Sequence, residues 1–267
     1  MKICLLGSTG FLGKHIFKRF SKKFSITKIN LRKMPDYQEK GFINFLDKFN
    51  KSDIIINCAA NLSPKSKRDF FINEDFPKIL YNHLKKNNKK FKFIHMSTVN
   101  VLIKDRKDTY TKSKRKSEKK LFNTKTEIIR LPLLIDKKKG YIQNNGNLSA
   151  LYRYLDVSIL PIYPMLFPGH LYQPVTIHKL TDFINKIILQ KNNIGKIYNI
   201  SGKTKKSLWD LFEEIAIFKS KIFFKIDTRI INLLLPSFLK NVLREKNSFL
   251  QQLISIDNTT YSKKIIL

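Results

Sequence analysis

Cysteine and acidic residues are scarce in this chain. It has two cysteines, Cys4 and Cys58, and 20 Asp and Glu residues against 52 Lys and Arg. Each cysteine lies in a run that predicts a buried strand, so the sequence favours two reduced thiols over a disulfide framework. The histidines share no metal-ligand spacing, and we predict no metal site. They are His15, His83, His95, His170 and His178.

Long apolar runs are absent too. No stretch of 18 residues is uninterruptedly apolar, and the opening run Met1–Leu6 is too short for a signal peptide. We therefore predict a cytoplasmic protein. A hydrophobic content of 42% is enough for a packed core, so the chain should be globular.

The net charge of +32 raises the question of a nucleic-acid or membrane partner. Only 9 of the 52 basic residues are Arg, and the lysines are spread through predicted helices and loops. The densest clusters, 85–92, 112–120 and 137–139, lack the stacking aromatic residues of nucleic-acid modules. The sequence therefore favours solvated lysine faces, no specific nucleic-acid partner and a weak attraction for phosphate groups.

Three glycines directly follow the first apolar run. They lie between the predicted strand Ile3–Leu6 and a helix predicted from Phe11 to about Phe20. In this arrangement the first glycine permits a sharp turn, the second lets backbone N–H groups approach a pyrophosphate, and the third lets the helix pack on the strand. A glycine turn without a ligand is the alternative. The residues predicted to bind a cofactor here are Gly7, Thr9, Gly10, Phe11, Leu12 and Gly13.

Strand-like and helical runs alternate over the first half of the chain. Residues 53–60 form a continuous apolar run typical of strands buried on both faces, and Arg68–Leu84 has the spacing of one helix. This alternation predicts an α/β fold with a Rossmann-type, doubly wound parallel sheet.

Gly, Asn and Pro interrupt the pattern beyond Asp136. We therefore predict two domains, of which one is a smaller C-terminal substrate-binding lobe. The dinucleotide-binding domain comprises residues 1–135 and 174–200, and the lobe comprises residues 136–173 and 201–267.

Tyr110 and Lys114 are four residues apart in a predicted helix, which puts them on one face. A Lys ammonium beside a phenol favours the phenolate. Such a tyrosine can exchange a proton near neutral pH with a carbonyl or hydroxyl group whose carbon exchanges hydride with a nicotinamide.

The same spacing occurs at Tyr81 and Lys85, and position separates the two pairs. Tyr110 opens the helix that follows a strand ending in Ser97 and Thr98, and hydroxyls at the carboxyl end of a parallel strand adjoin the ligand crevice. Tyr81 lies inside a helix without such neighbours, so we interpret it as structural.

Nine short motifs follow one another along nearly the whole chain. They are GSTGFLG, IINCAAN, FIN, FIHMST, YTKSK, IIRLP, QPVTIHKLTDFI, GKIYNISG and LISIDNTTYSKKI. In this order they resemble the extended short-chain dehydrogenase/reductases, in the NAD-dependent epimerase/dehydratase group that acts on nucleotide sugars. Each motif alone is weak, and the ordered set is specific.

The resemblance implies four catalytic residues. It assigns Thr98 to the hydroxyl that hydrogen-bonds the reacting oxygen, Tyr110 to the acid/base, and Lys114 to the residue that holds the nicotinamide ribose and tunes Tyr110. It assigns Asn73 to the helix asparagine that supports a proton relay, with a simple helix-surface amide as the alternative. Ser97 is the rival of Thr98, and we interpret it as a structural hydroxyl beside the substrate.

The resemblance also implies cofactor contacts at Cys58, Ala59 and Ala60, after the third strand. The end of the second strand carries Arg32, 19 positions after Gly13. An acidic residue there would bind the ribose hydroxyls of NAD, whereas Arg accommodates the 2′-phosphate of NADP. We therefore predict NADP, with NAD as the alternative. Arg32 stacking on the adenine or facing solvent also remains open.

Two departures from the family pattern bear on activity. Only 12 positions separate Thr98 from Tyr110, about half the family's usual loop, which puts one wall of the pocket in question. Val99 and Asn100 stand where the sugar 4,6-dehydratases have an Asp-Glu pair. Elimination needs a second acid/base pair, so dehydration is disfavoured and reduction or epimerisation remains.

The leading prediction is an NAD(P)-dependent oxidoreductase that reduces a nucleotide-linked keto sugar in surface polysaccharide biosynthesis. Arg153 and Gln173 are the candidate partners of the substrate. One alternative is a nucleotide-sugar 4-epimerase with retained NAD. A second, favoured by the short Thr98–Tyr110 connection, is a non-catalytic dinucleotide-binding protein.

The segment Arg229–Lys246 is apolar with basic flanks and is broken by Pro236. It predicts burial against the sheet domain, with a weak association with a membrane surface as the alternative. A homodimer also remains open.

Overall fold

The computed structural model of the chain describes residues 1–87, 90–136, 162–167, 171–191, 195–220, 222–227 and 265–267. The chain forms two compact units. The first comprises Met1–Leu131, Ile177–Ile200 and Lys263–Ile265, and the second comprises Pro132–Thr176, Ser201–Ser262 and Ile266–Leu267. That one unit binds a dinucleotide and the other a substrate stays a prediction.

Within these residues strands and helices alternate as the sequence predicts. The strands are β1 (Lys2–Leu6), β2 (Ser25–Ile29), β3 (Ile54–Asn57), β4 (Lys92–Thr98), β5 (Thr126–Leu131), β6 (Leu134–Ile135), β7 (Ile162–Phe167), β8 (Leu171–Tyr172), β9 (Val175–Thr176), β10 (Ile197–Ser201), β11 (Lys206–Ser207), β12 (Ile222–Asp227) and β13 (Ile265–Ile266). The helices are α1 (Phe11–Phe20), α2 (Gly41–Asp47), α3 (Lys67–Glu74), α4 (Phe76–Lys86), α5 (Thr109–Leu121), α6 (Ile177–Leu189) and α7 (Leu208–Phe218), with 3₁₀ turns at Leu31–Lys33 and Val99–Leu102.

A seven-stranded sheet in the order β13-β10-β5-β4-β3-β1-β2 forms the centre of the first unit. All neighbouring pairs from β10 to β2 are parallel, which confirms the predicted Rossmann-type, doubly wound sheet. From β1 the chain passes to β2 on one side and then to β3 on the other. Parallel sheets bind ligands outside the carboxyl ends of strands at such a reversal.

The single helix predicted over Arg68–Leu84 is two helices, α3 and α4, separated at Asp75. Pro77 lies in the first turn of α4, where a missing N–H costs nothing. Had α3 continued through it, one backbone hydrogen bond would be lost and the ring would press on the carbonyl of Asn73. The prediction of one helix was therefore wrong, because the local proline geometry outweighs the apolar spacing.

Aromatic side chains fill the core on the side of α2 and α4. The rings of Phe45 and Phe49 pack edge to face with centroids 5.8 Å apart, and Phe49 contacts Phe76 at 6.4 Å. All three are buried. Burial of each such side chain contributes about 1.5–3 kcal/mol, so these rings hold both helices against the sheet.

The second unit contains three described pairs of strands. β6 pairs parallel with β9, β7 pairs parallel with β12, and β8 pairs antiparallel with β11. Ser207 begins α7 through a capping box, in which its hydroxyl accepts from the backbone N–H of Asp210 and the Asp210 carboxylate accepts in return. Among the described residues, no helix is long and apolar enough to cross a membrane. The segment Arg229–Lys246 lies outside the described residues.

Tyr81 provides a stability test, because it is buried in the core and its hydroxyl accepts a 2.9 Å hydrogen bond from the backbone N–H of Lys125. We expect Tyr81→Phe to lower the free energy of unfolding by about 1 kcal/mol, since that N–H loses its partner. Urea unfolding measures the change. Tyr37→Phe is the matched control, because Tyr37 is exposed and keeps its ring contact with Phe42. An equal loss in both variants would contradict the assignment.

Candidate active site

The glycine turn after β1 packs against the backbone that follows β3. Gly7 has φ +74°, a conformation that favours glycine, and a Cβ on it would lie 2.7 Å from the nitrogen of Ala59. A Cβ on Gly13 would lie 2.1 Å from the Gly7 carbonyl oxygen. Two of the three glycines are therefore required by contacts within the protein itself.

Gly10 differs from the other two glycines. A Cβ there would meet only the carbonyl oxygen of Gly7, at 3.4 Å, and otherwise open space. Gly10 also precedes α1, whose amino terminus carries no side-chain cap and no acidic residue in its first turn. Open space beside an uncapped helix amino terminus suits an anionic group.

Asn73 fastens the loop after β3 to the helices. Its side-chain oxygen accepts from the backbone N–H of Asn61 at 2.9 Å, and its amide donates to the Asn61 carbonyl at 2.9 Å and to the Ser113 hydroxyl at 3.1 Å. Asn73 is 1% exposed, so the helix-surface alternative is wrong. Both of its amide hydrogens have protein acceptors. A role in a proton relay stays a prediction.

Tyr110 and Lys114 lie on α5, as predicted. Asp108 caps this helix by accepting from the backbone N–H of Thr111 at 2.9 Å, and Arg106 binds the same carboxylate at 2.7 Å. These contacts fix the first turn of the helix, in which Tyr110 lies. The Tyr110 hydroxyl hydrogen-bonds to none of the described side chains.

The charge state of this pair differs from the expectation. Burial, and then the Asp108 carboxylate, raise the pKa of Tyr110, so the residue is a neutral phenol where the sequence predicts an accessible phenolate. Lys114 is 1% exposed, and its amine lies 3.1 Å from Nε2 of His95. Burial lowers the pKa of Lys114 to about 8, against the opposing charge of Glu118.

Cys58 is one of the residues around Lys114. Burial raises the pKa of its thiol to about 12, and the charge of Lys114 opposes that shift. Cys58 and Cys4 are both free thiols. Cys58 is therefore an uncharged neighbour of Lys114 at neutral pH.

The two hydroxyls at the end of β4 are used differently. Thr98 accepts from the backbone N–H of Asn100 at 3.2 Å and so caps the 3₁₀ turn, which leaves its own hydrogen free to donate. Ser97 is buried, and its hydroxyl has no partner among the described residues. Successive strand residues point to opposite faces, so Ser97 shares the face of His95. The roles predicted for both hydroxyls remain predictions.

Arg115 closes the short connection between Thr98 and Tyr110. Its guanidinium donates to the carbonyls of Val101 at 3.0 Å, Arg106 at 2.7 Å and Ile103. Three carbonyls held by one planar side chain make a short, fixed loop. No local pattern signals this contact in the sequence, because residues 101–106 and Arg115 have no recognisable spacing.

The end of β2 carries an exposed arginine beside a carboxylate that is already paired. Arg32 lies in the 3₁₀ turn and is exposed. Asp36, the acidic residue nearest to it in the loop, is bound by Arg68 at 3.1 Å. Arg68 also donates to the Met34 carbonyl. The loop therefore presents an exposed positive group, Arg32, and a partly neutralised negative one, Asp36.

The remaining predicted site residues fall elsewhere. Gln173 is in the second unit, where its amide donates to the Gly202 carbonyl at 3.3 Å. Arg153 lies outside the described residues. Arg130 binds Glu118 at 2.6 Å and Asn199 at 3.2 Å, which is a structural network. The described residues contain no group of three or more His, Cys, Asp or Glu able to hold a metal.

No protein-family model and no curated protein sequence matches the chain. Solved structures do. A dTDP-4-dehydrorhamnose reductase from Clostridium acetobutylicum matches with TM-score 0.68 and 19% identity over 86% of this chain and 85% of that chain. A UDP-glucuronic acid 4-epimerase from Bacillus cereus, in complex with UDP-glucuronic acid and NAD, matches with TM-score 0.67 and 17% identity over 85% and 86%.

A third similar structure is a dTDP-4-dehydrorhamnose reductase from Bacillus anthracis in complex with NADP. It matches with TM-score 0.65 and 18% identity over 85% of this chain and 83% of that chain. These proteins are extended short-chain dehydrogenase/reductases. The chain has their fold, and the predicted resemblance is confirmed at the level of the fold.

Proposed function

We propose that the protein is an NAD(P)-dependent oxidoreductase that reduces a nucleotide-linked keto sugar for surface polysaccharide synthesis in the cytoplasm. The observation that carries this proposal is the arrangement at the carboxyl ends of the central strands. There the glycine turn after β1 lies against the backbone after β3, and Lys114 of α5, one turn after Tyr110, contacts His95 of β4. Structures with this fold include sugar-nucleotide reductases.

The residues present fit a bound dinucleotide. The open space beside Gly10 and the uncapped start of α1 suit a pyrophosphate, with Thr9, Phe11 and Leu12 in the same turn. Cys58, Ala59 and Ala60 would border the cofactor from the end of β3. When bound, the cofactor supplies hydride at its nicotinamide ring.

The chain's own groups would handle the oxygen of the keto group. Thr98 would donate its hydroxyl hydrogen to that oxygen and hold it in place. Tyr110 is a neutral phenol and so carries the proton that a reduced carbonyl requires. Lys114 would orient the ribose. A proton donor ready in the resting protein suits reduction as the first step.

We propose that the protein prefers NADP to NAD. Arg32 is exposed at the end of β2, where a 2′-phosphate would lie. Asp36 is paired with Arg68, so it is a weaker acceptor for ribose hydroxyls than a free carboxylate. One of the similar reductases was crystallised with NADP.

Replacing Tyr110 by Phe tests the chemistry. With NADPH and dTDP-4-dehydrorhamnose as the assay substrate, we expect Tyr110→Phe to lower turnover about 10²–10⁴-fold and to leave the dissociation constant for NADPH unchanged. The loss follows because the ring is kept and only the proton donor is removed. Tyr81→Phe is the matched control, since Tyr81 also precedes a lysine by four residues. Equal turnover in wild type and Tyr110→Phe would rule out this acid.

Replacing Arg32 by Ala tests the cofactor preference. We expect wild-type protein to bind NADPH more tightly than NADH, and Arg32→Ala to weaken NADPH binding about tenfold or more while NADH binding changes little. Fluorescence titration of each dinucleotide measures both constants. Lys22→Ala removes another exposed positive charge and should leave the preference intact. A preference unchanged by Arg32→Ala would show that Arg32 faces solvent.

A 4-epimerase with retained NAD is the second candidate, because one structure of this fold is an epimerase holding NAD. An epimerase oxidises and re-reduces one substrate, so its cofactor stays bound. Denaturing the freshly purified protein and identifying any released dinucleotide separates the cases. Near-stoichiometric NAD would favour the epimerase over the reductase. An empty protein without affinity for either dinucleotide would contradict both, and would also leave no cofactor for a non-catalytic dinucleotide-binding protein.

A further inference from the structure

Four groups form a chain of close polar contacts at the centre of the candidate site. The backbone N–H of Ala59 donates to the side-chain oxygen of Asn57 at 3.1 Å. The Asn57 amide nitrogen lies 3.2 Å from Nδ1 of His95, and Nε2 of His95 lies 3.1 Å from the Lys114 amine. Asn57, His95 and Lys114 are each at most 1% exposed. We call these four residues the relay.

The direction of each hydrogen bond in the relay follows from its first member. A backbone N–H can only donate, so the Asn57 oxygen faces Ala59 and its NH₂ group faces His95. Nδ1 of His95 must then accept. A neutral imidazole that accepts at Nδ1 carries its hydrogen on Nε2, and that hydrogen faces Lys114.

This direction determines which form of Lys114 fits. An ammonium has three hydrogens and no lone pair, so it cannot accept from Nε2–H. A neutral amine can. Within the described residues, His95 is the hydrogen-bonding partner of the Lys114 amine. The Ser117 hydroxyl lies 3.4 Å from Nε2 and is a second acceptor for that hydrogen. Even with this acceptor, an ammonium on Lys114 would face the N–H group of His95, which is also a donor.

We propose that Asn57 and His95 are positioning residues that hold a hydrogen-donating Nε2 opposite Lys114 and so favour the neutral amine of this lysine. Charging Lys114 then requires a change of the His95 tautomer. That change would break the Asn57 bond or turn the Asn57 amide away from Ala59. The cost is one buried hydrogen bond among side chains that are at most 1% exposed.

The other groups around Lys114 act by burial and charge. Glu118, one turn farther along α5, raises the pKa of Lys114, whereas burial lowers it by more, to about 8. The Cys58 thiol, after β3, is uncharged at neutral pH. Glu118 is itself bound by Arg130. Burial, and then the charge of Lys114, hold the pKa of His95 well below its ordinary value, so the imidazole is neutral. Tyr110 completes the surroundings on α5.

The inference rests on the proposed function only where Lys114 assists Tyr110. A lysine whose pKa lies at about 8 loses its ammonium as the pH rises through that value. If the ammonium supports turnover, kcat/KM falls on the alkaline side. A variant that raises the pKa of Lys114 moves this limb to higher pH.

The first measurement is the tautomer of His95 in the full chain without added dinucleotide. Two-bond proton–nitrogen NMR correlations report which ring nitrogen carries hydrogen, and His95→Gln assigns the signals by their loss. We expect hydrogen on Nε2 and none on Nδ1. Hydrogen on Nδ1 in the wild-type protein would overturn the inference.

The second measurement uses Asn57→Asp. The carboxylate has nearly the shape of the amide and still accepts from Ala59, but it has no hydrogen to give to Nδ1. We expect the His95 hydrogen to move to Nδ1 and the pKa of Lys114 to rise by about one unit or more. NMR of the labelled lysine amine follows that pKa, with Lys114→Met for assignment. The ring signals of His83, on α4, should stay unchanged.

Asn57→Leu distinguishes the effect of the His95 tautomer on the pKa of Lys114 from the effect of the added negative charge, because it removes the amide without introducing a carboxylate. The pKa of Lys114 should again rise. The inference would be refuted if folded Asn57→Asp protein still carried the His95 hydrogen on Nε2. It would also be refuted if the pKa of Lys114 rose in Asn57→Asp but not in Asn57→Leu. If Asn57→Asp does not fold, the wild-type tautomer and Asn57→Leu decide. None of these readouts involves dinucleotide or substrate, so they remain informative if the proposed function is wrong.

Discussion

The contact between the turn after β1 and the backbone after β3 is the constraint on which the candidate site depends. Gly7 has a positive φ and lies so close to Ala59 that a Cβ would displace it. β1 and β3 are neighbouring parallel strands with Leu6 beside Asn57, so the turn that leads into α1 lies beside the end of β3. The same backbone segment supplies the N–H of Ala59, which orients Asn57 and through it His95.

Buried polar groups hold the rest of the site in place. Asn73 joins the loop after β3 to α5, Arg115 joins the short connection before α5 to that helix, and Lys114 contacts His95 on β4. Each of these groups would be costly to bury alone, and each has a partner with matching geometry. The buried Ser97 hydroxyl differs from these groups, because it has no hydrogen-bond partner among the described residues.

Local features of the sequence predicted most of the fold. The apolar run that contains β3, the glycines after β1 and the span of α1 could be predicted because periodicity and turn residues act over a few positions. The break between α3 and α4 could have been predicted too, since Pro77 carries the signal for it. For the site, position along the chain correctly placed Tyr110 and Lys114 on the helix that follows β4. The burial that raises the pKa of Tyr110 and lowers that of Lys114 could not be foreseen, because it depends on tertiary contacts.

The sequence by itself determined the order of strands and helices, the glycine turn and the Tyr110–Lys114 spacing, since these depend on residues near one another in the chain. Only the tertiary structure decided that Lys114 contacts His95, that Asp36 is paired with Arg68, and that Arg115 closes the short loop. His95 and Lys114 are 19 residues apart and Asp36 and Arg68 are 32 apart. No local pattern specifies such contacts, because parallel strands bring distant segments together at one edge of the sheet.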